Sequence, residues 1–440
     1  MIMGGIHLTV DQGMIRPPSP EERLLTRYTW CCQQFRENGS ENAFTRDGNP
    51  VAWLLREVMD MVAQFPETRF VLGLQALAVR TFPVLSQVCF HCLCELFLGK
   101  PLVPVDSMSF VTDVAEYAFR KGIDFLVGRG LVIAVAVNKA DESKATKDNY
   151  LLAPHVCGML FRGREDLIRP TVIAQFGTLT LSKSIPAKDL IFPDTLRDRL
   201  ALVSRAVAAD RFDRVVGELA RQGMRSGVTV LLYGPPGTGK TEFVRQLSRI
   251  SGRNILQVDC AKLDASYYGE KPRNLRDFFR LVRYASAISL LVPIVFMDEA
   301  DGILGRRVQV EKAADKEENT TVNVILEELN TFTGILLAAT NNIANLDPAM
   351  NRRFLLKAEF PVPDLPTLAR IWRSKLPWLT AEDAEELASR FPLSGGVIDN
   401  VAALCLLERI IDGTSPTLDR ILRLCAEQDG KERANPIGFH

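Results

Sequence analysis

The chain has 440 residues, and its 53 basic and 53 acidic side chains give a formal net charge of zero. This length is too great for a single ordinary hydrophobic core, so two or three domains are expected. Apolar residues make up 47% of the chain, which is ample for globular folding. The balanced charge argues against a general nucleic-acid-binding protein, although a local basic patch would be compatible with it.

Nine cysteines are scattered along the chain without the spacing of a disulfide framework. This distribution predicts reduced thiols and a cytoplasmic protein. The amino terminus lacks the basic and apolar regions of a secretory signal. The most apolar stretch, Phe70–Leu98, contains Arg80 and Glu95, which favours a buried helical pair over a membrane span.

Residues 1–185 are predicted to form a mainly helical domain whose role the sequence does not reveal. Apolar residues recur at helical spacing from Glu21 to Leu98. Leu131–Val137 is a short apolar run that predicts one buried strand, and Pro154–Leu167 predicts a further helix.

A linker and a lead-in helix are predicted over residues 186–227. The segment Phe176–Leu181, just before the linker, alternates only weakly between apolar and polar residues. The linker itself contains two prolines, Pro186 and Pro193, and Leu196–Ala220 then repeats apolar residues at helical spacing, which predicts the lead-in helix.

Residues 228–364 alternate between short apolar runs and helical segments. This alternation predicts an α/β domain with a parallel sheet flanked by helices. The predicted strands are Val228–Tyr233, Ile255–Val258, Pro293–Met297, Gly334–Ala339 and Lys357–Phe360. Residues 365–440 are then predicted to form a helical lid, in which Thr380 and Asp383 cap the helix Ala381–Phe391.

A phosphate-binding loop follows the first of these strands. Its sequence G-P-P-G-T-G-K-T fits the G-x-x-x-x-G-K-[ST] pattern between a strand and a helix, Glu242–Ile250, and so predicts a P-loop NTPase fold. The predicted nucleotide-binding residues are Gly234, Pro235, Pro236, Gly237, Thr238, Gly239, Lys240, Thr241 and Glu242. Glycines let backbone N–H groups surround an anion, Lys240 can reach the β- and γ-phosphates, and Thr241 can bind Mg²⁺. ATP and Mg²⁺ are therefore the expected ligands.

An acidic pair ends the predicted strand Pro293–Met297. Asp298 is expected to support hydrated Mg²⁺, and Glu299 is expected to orient and polarise an attacking water. Taken alone, the pair is also compatible with a solvated acidic turn.

Two further polar segments have alternative explanations. Asn341 ends an apolar strand, where it can contact the γ-phosphate or the attacking water, or simply cap the strand. The pair Arg352 and Arg353 precedes Phe354, and such a pair is usually a solvated surface.

Together, the motifs GPPGTGKT, IVFMDEAD, AATNN and LDPAMNRRF resemble the AAA clade of the AAA+ ATPases over Leu196–Leu406. The resemblance implies that Asn341 senses the γ-phosphate. It also implies that Arg352 and Arg353 reach the nucleotide of a neighbouring subunit in a homo-oligomeric ring, most often of six.

The resemblance extends to three less specific segments. Tyr267, Tyr268 and Gly269 look like a first pore loop that grips a polypeptide, although two tyrosines half-buried at a helix start are an alternative; Val308–Asn319 would be a second pore loop. Ser394 and Gly395 are similar to a lid motif that packs beside adenine, without a second sensor arginine. The overall layout is similar to bacterial single-module AAA ATPases with a helical N-terminal region.

The resemblance therefore implies an ATP hydrolase that remodels or unfolds a protein client. The neutral net charge disfavours nucleic acid as a partner, and no membrane partner is expected. Two alternatives stay open: a nucleic-acid-associated loader, and a slow nucleotide-controlled switch.

Overall fold

The computed structural model describes residues 116–135, 149–163, 173–263, 270–305 and 313–434, with a few positions before residue 73. Most of the helical region predicted between Glu21 and Leu98 lies outside these residues. Within the described part of the chain, no helix is long and apolar enough to cross a membrane.

The chain divides into two compact units between Arg162 and Gly163, whereas the sequence predicts a boundary after residue 185. In the first unit, the described residues from 116 onward form two helices and an antiparallel pair of strands. These elements are α1 (Glu116–Gly128), β1 (Val132–Val135), β2 (Asn149–Leu152) and α2 (Pro154–Phe161). The predicted strand over Leu131–Val137 is therefore present as β1, while α2 is shorter than the predicted helix.

The second unit contains the alternating region and the helices that follow it. Its strands are β3 (Gly177–Thr180), β4 (Val228–Tyr233), β5 (Ile255–Val258), β6 (Ile294–Met297), β7 (Ile335–Thr340) and β8 (Leu356–Glu359). Its helices before the lid are α3 (Asp194–Ala206), α4 (Phe212–Arg221), α5 (Lys240–Ser251), α6 (Cys260–Leu263), α7 (Glu270–Ile288), α8 (Asp301–Leu304) and α9 (Ala313–Thr331).

The six strands form one sheet in the order β3-β5-β6-β7-β4-β8. The five strands from β4 to β8 pair in parallel, as predicted. The largely apolar strands β4, β6 and β7 suit burial on both faces, whereas the edge strand β8 has one buried residue. All six residues of β7 are buried. The edge strand β3 pairs antiparallel with β5 and belongs to this sheet, which the prediction of a parallel sheet within residues 228–364 misses.

The parallel register brings the carboxyl ends of three strands to one edge of the sheet. Tyr233 of β4 pairs with Thr340 of β7, and Met297 of β6 pairs with Ala338. The residues that follow these three strands therefore emerge side by side. This is the edge where open α/β sheets bind ligands.

The predicted helix Leu196–Ala220 is two helices, because the chain leaves the helical path after Ala206. The Val207 carbonyl accepts a hydrogen bond of 2.7 Å from Nε of Arg253, a side chain that is only 2% exposed. The Arg253 guanidinium also lies 4.8 Å from the centre of the Phe212 ring, at the start of α4. A long-range contact therefore breaks a helix whose local sequence contains no helix breaker.

Four helices form a lid with its own apolar core, as predicted. They are α10 (Leu365–Lys375), α11 (Ala381–Arg390), α12 (Gly395–Asp412) and α13 (Leu418–Ala434). Trp372 is fully buried at the centre of this core. The predicted cap of α11 is confirmed, because Thr380 and Asp383 form a reciprocal capping box.

Candidate active site

The glycine-rich loop after β4 turns back on itself through three left-handed glycines. Their φ angles are 141° at Gly234, 74° at Gly237 and 96° at Gly239, values that side chains rarely adopt. There is also no room for a side chain, since a Cβ on Gly234 would lie 2.1 Å from the Phe360 carbonyl oxygen. The loop is thus a concave backbone surface that ends where α5 begins, at Lys240.

The Lys240 side chain is buried beneath this loop and is only 7% exposed. Its Nζ donates hydrogen bonds to the carbonyl oxygens of Gly234 (2.6 Å) and Pro235 (2.8 Å). Burial lowers the pKa of Lys240, and the negative charge of Asp298 partly opposes that effect. The structure therefore directs an ammonium group into the loop.

Thr241 and Asp298 meet at the next position along the pocket. The Thr241 hydroxyl donates to Oδ2 of Asp298 at 2.9 Å, and Oδ1 of Asp298 accepts from the Glu299 N–H at 3.1 Å. Hydroxyl and carboxylate oxygens are the donors that Mg²⁺ prefers. The two residues predicted to bind the metal ion are therefore adjacent.

Glu299 occupies a strained backbone position directly after β6. Its φ of 49° is the only positive value of a non-glycine residue in the described part of the chain. A left-handed conformation costs a residue with a Cβ roughly 1–2 kcal/mol. Such strain persists where neighbouring contacts over-determine the backbone, and it is concentrated at functional sites. The Glu299 side chain is exposed and lines the pocket.

The loop after β7 lies beside this turn. Asn341 is exposed and lines the same pocket. The preceding residue, Thr340, is 1% exposed, and its hydroxyl lies 3.1 Å from Oδ1 of Asp301. The Ala300 N–H also donates to the Ala339 carbonyl at 2.8 Å. The two loops are thus tied together behind the residues that face the pocket.

The lid helix α12 contacts the glycine loop directly. The Gly396 N–H donates to the Gly237 carbonyl at 3.0 Å, and a Cβ on Gly237 would lie 2.6 Å from Oγ of Ser394. Gly395 lines the pocket, which has a volume of about 470 Å³ and is bounded by the core, the linker and the lid. This volume is typical of a small-molecule site.

A cluster of three charged residues at the lid side of the pocket is absent from the sequence-based assignment. Asp399 of α12 bonds to Nζ of Lys188 at 2.7 Å and to Nζ of Lys375 at 2.6 Å. Burial alone would raise the pKa of Asp399, but the two lysines hold it below its usual value. No local motif marks this cluster, because Lys188 and Asp399 are 211 positions apart.

Gln246 joins the linker to the helix that follows the glycine loop. Its side chain accepts from the Lys188 N–H at 3.2 Å and donates to the Pro186 carbonyl at 3.0 Å. It also donates to Oε1 of Glu242 at 2.8 Å. The predicted nucleotide-binding residue Glu242 therefore supports the linker, as well as lining the pocket.

The arginine pair lies outside this pocket. Arg352 is exposed, whereas Arg353 is half-buried and its buried Nε has no hydrogen-bond partner in the described part of the chain. The backbone here is fixed to β4, because Thr229 Oγ1 donates to the Arg353 carbonyl at 2.9 Å and accepts from the Leu355 N–H at 3.0 Å.

The predicted first pore loop, Tyr267, Tyr268 and Gly269, lies outside the described residues. The predicted second pore loop, Val308–Asn319, is only partly described. Its last seven residues belong to helix α9, which begins at Ala313, so the assignment of a loop up to Asn319 is wrong. Charged residues alone did not distinguish a loop from the start of a helix.

Comparison with protein families gives a match over residues 230–362, to the family described as "ATPase family associated with various cellular activities (AAA)". An AAA-family domain is therefore present. It extends from within β4 to beyond β8 and includes the residues of the sheet edge described above.

The curated proteins that are similar to this chain include subunits of the eukaryotic 26S proteasome. A 26S proteasome regulatory subunit 6B homolog of Encephalitozoon cuniculi is 38% identical over 144 residues, which are 31% of this chain and 35% of the relative. The 6B homolog of Dictyostelium discoideum is 35% identical over 39% of this chain and 44% of the relative. Subunit 6A of Saccharomyces cerevisiae is 34% identical over 37% of each chain. The match thus spans less than half the length of these relatives.

Proposed function

We propose that this protein is an Mg²⁺-dependent ATP hydrolase that uses turnover to remodel or unfold a protein client in a ring assembly. The single observation that carries the proposal is the convergence of Lys240, Thr241, Asp298 and Glu299 at one pocket beside a glycine cradle. The AAA match over the same residues supports it.

The glycine loop is the proposed phosphate site, because its glycines adopt positive φ angles and leave no room for a Cβ beside Phe360 or Ser394. Loop N–H groups and the amino end of α5 are suited to bind an anion, and Lys240 supplies a positive charge. Thr241 and Asp298 would hold Mg²⁺, which would neutralise part of the negative charge of the phosphates. Ser394 and Gly395 would lie beside the adenine ring of the nucleotide.

Glu299 is the proposed catalytic base. Its carboxylate orients a water molecule for in-line attack on the γ-phosphorus and takes the proton that this water loses. The bond from the γ-phosphorus to the β–γ bridging oxygen breaks in the same displacement, and ADP is the leaving group. The exposed side chain at the pocket edge supports this role. Asn341, on the adjacent loop, positions the water or the γ-phosphate through its amide.

The proposed arginine fingers act between protomers. No arginine lines the pocket in the described part of the chain, although charge develops on the γ-phosphoryl group during transfer. Arg352 or Arg353 of a neighbouring copy would supply the missing cation, an effect of about 10³–10⁵ in rate. This supports a ring, which we propose to be a homo-hexamer.

The protein client is inferred from the relatives, whose names identify them as regulatory subunits of the 26S proteasome. Tyr267, Tyr268 and Gly269 are proposed as the client-contacting loop. We further propose a cytoplasmic location. We also propose that the whole chain has the domain layout of bacterial single-module AAA ATPases, with a helical N-terminal region before one ATPase domain.

The shared site predicts that ATP turnover per protomer rises with protein concentration. Turnover and sedimentation are measured on the same samples, so that activity is compared with the assembled fraction. Equal specific activity in monomeric and assembled samples would exclude an arginine supplied by a neighbour.

The client is tested by affinity capture with the Glu299→Gln variant in ATP, with the same variant in ADP as the control. Recovery of a protein client only in ATP supports remodelling. Stimulation of turnover by DNA or RNA would instead support a loader, and negligible turnover of the assembled protein would support a switch.

A further inference from the structure

The Thr340 hydroxyl is a buried junction between the two loops that end β6 and β7. It lies 3.1 Å from Oδ1 of Asp301 and 3.2 Å from the Asn342 carbonyl oxygen, and it accepts from the Asn342 N–H at 3.1 Å. A hydroxyl has one proton, so it donates to either Asp301 or Asn342 at a given moment. The bond to Asp301 is the side-chain link between the loops.

The position of this junction relates it to the proposed catalytic groups. Asp301 lies two residues after Glu299, and Asn341 directly follows Thr340. Neither Thr340 nor Asp301 is among the residues that line the pocket. Both residues can therefore act on the reaction only through their neighbours.

The strained Glu299 backbone is held by hydrogen bonds on both sides. Before it, the Glu299 N–H donates to Asp298; after it, the Ala300 N–H donates to the Ala339 carbonyl at 2.8 Å. The Thr340–Asp301 bond adds a second link to β7, one residue farther along. A left-handed residue that has a Cβ needs such external restraint.

We propose that Thr340 and Asp301 are positioning residues that fix Glu299 relative to Asn341, so that the base and the amide form one rigid unit. The inference rests on the proposed ATP hydrolysis. Without this bond the Glu299 turn relaxes toward an ordinary backbone conformation, and its carboxylate leaves the line of attack. Small misplacements of this kind can reduce a rate by about 10²-fold.

The main test is Thr340→Val, which removes the hydroxyl and nearly preserves the side-chain shape. We expect kcat for ATP to fall about 10- to 100-fold. The dissociation constant for a fluorescent ADP analogue should stay within about twofold, because the nucleotide-contacting groups are unchanged. Thr340→Ser keeps the hydroxyl and should retain kcat within about threefold of the wild type.

Asp301 provides a second variant, since it is only half-buried and its replacement endangers the fold less than a change at Thr340. Asp301→Ala should lower kcat as Thr340→Val does, and Asp301→Asn, which keeps an acceptor oxygen, should lower it less. The double variant Thr340→Val/Asp301→Ala should be no slower than the worse single variant, because both changes break one interaction.

A purely structural role would give other results. Melting temperatures of all variants are compared, and Thr340→Val is also placed in the Glu299→Gln background, where it should cause no further loss of turnover. A parallel loss of kcat and analogue affinity, or wild-type kcat in Asp301→Ala, would overturn the inference. Absence of ATP turnover in the wild type would instead reject the proposed function itself.

Discussion

Two turns at the same edge of the sheet use left-handed backbone in different ways. In the loop after β4, the left-handed positions are glycines, which adopt positive φ angles without steric strain. The local sequence therefore favours this conformation. In the turn after β6, the left-handed residue is Glu299, and contacts to β7 impose the conformation. The residues of the first turn favour its conformation locally, whereas the second turn is strained and lies at the proposed catalytic base.

The largest expected effect comes from replacing the carboxylate of Glu299 while its backbone position is kept. Glu299→Gln should lower ATP turnover by about 10²- to 10⁴-fold, because an amide cannot accept the proton of the attacking water. Nucleotide affinity should be retained, since the glycine loop is unchanged. Steady-state turnover and analogue binding are measured together; retained turnover would refute the assignment of Glu299 as the base.

The next effect concerns the glycine cradle. Gly237→Ala should weaken nucleotide binding at least tenfold, because the new Cβ would lie 2.6 Å from Ser394 Oγ and the φ angle is 74°. Gly413→Ala is the matched control, with a φ of 71° and no atom within 4 Å of the added Cβ. Both variants should lose roughly 1–2 kcal/mol of stability through strain.

Of these two glycine variants, only Gly237→Ala should lose affinity for the nucleotide. Calorimetric titration with ADP measures this affinity. Similar affinities of the two variants would mean that the cradle does not bind the phosphates.

A smaller effect follows from the buried ammonium group within the cradle. Burial lowers the pKa of Lys240 below its ordinary 10.5, and bound phosphates should raise it again. The affinity for the phosphates is therefore highest at pH values below the pKa of Lys240 in the free protein. It declines as the pH rises through that pKa. As the pH rises through the lowered pKa of Lys240, we expect the affinity for ADP to decline by at most about tenfold per pH unit.

Titrations with ADP at several pH values measure this decline. The Lys240→Met variant, which has no ammonium group, serves as the control for other titrating groups. A wild-type affinity that stays constant up to pH 10.5 would contradict a lowered pKa at Lys240.

The smallest effect tests the stored strain directly. Glu299→Gly should be more stable than Glu299→Ala by about 1 kcal/mol, because glycine adopts the left-handed conformation freely. The free energy of unfolding is measured by denaturant titration without nucleotide. Equal stability of the two variants would mean that the turn is not strained in solution.

The comparison also explains what the sequence can predict. The bounds of β4 and β5 and the cap of α11 agree with the structure, because apolar runs and capping residues act over a few positions. The glycine loop was predictable for the same reason. Its residue types already encode the required φ angles.

The missed features depend on contacts between distant parts of the chain. The strain at Glu299, the link between Thr340 and Asp301, and the break after Ala206 all require a neighbouring strand or side chain. The pairing of Lys188 with Asp399 joins the linker to the lid. No periodicity or short motif contains such information, so only the folded arrangement reveals it.

The antiparallel strand β3 has a practical consequence for truncation. Residues 177–180 cover the outer edge of β5, although the sequence predicts a domain boundary after residue 185. A fragment that begins at residue 186 would expose the backbone N–H and C=O groups of β5. Such an uncovered edge strand promotes aggregation. A fragment beginning at Gly163 would keep this edge covered and should remain dispersed at concentrations where the shorter fragment precipitates.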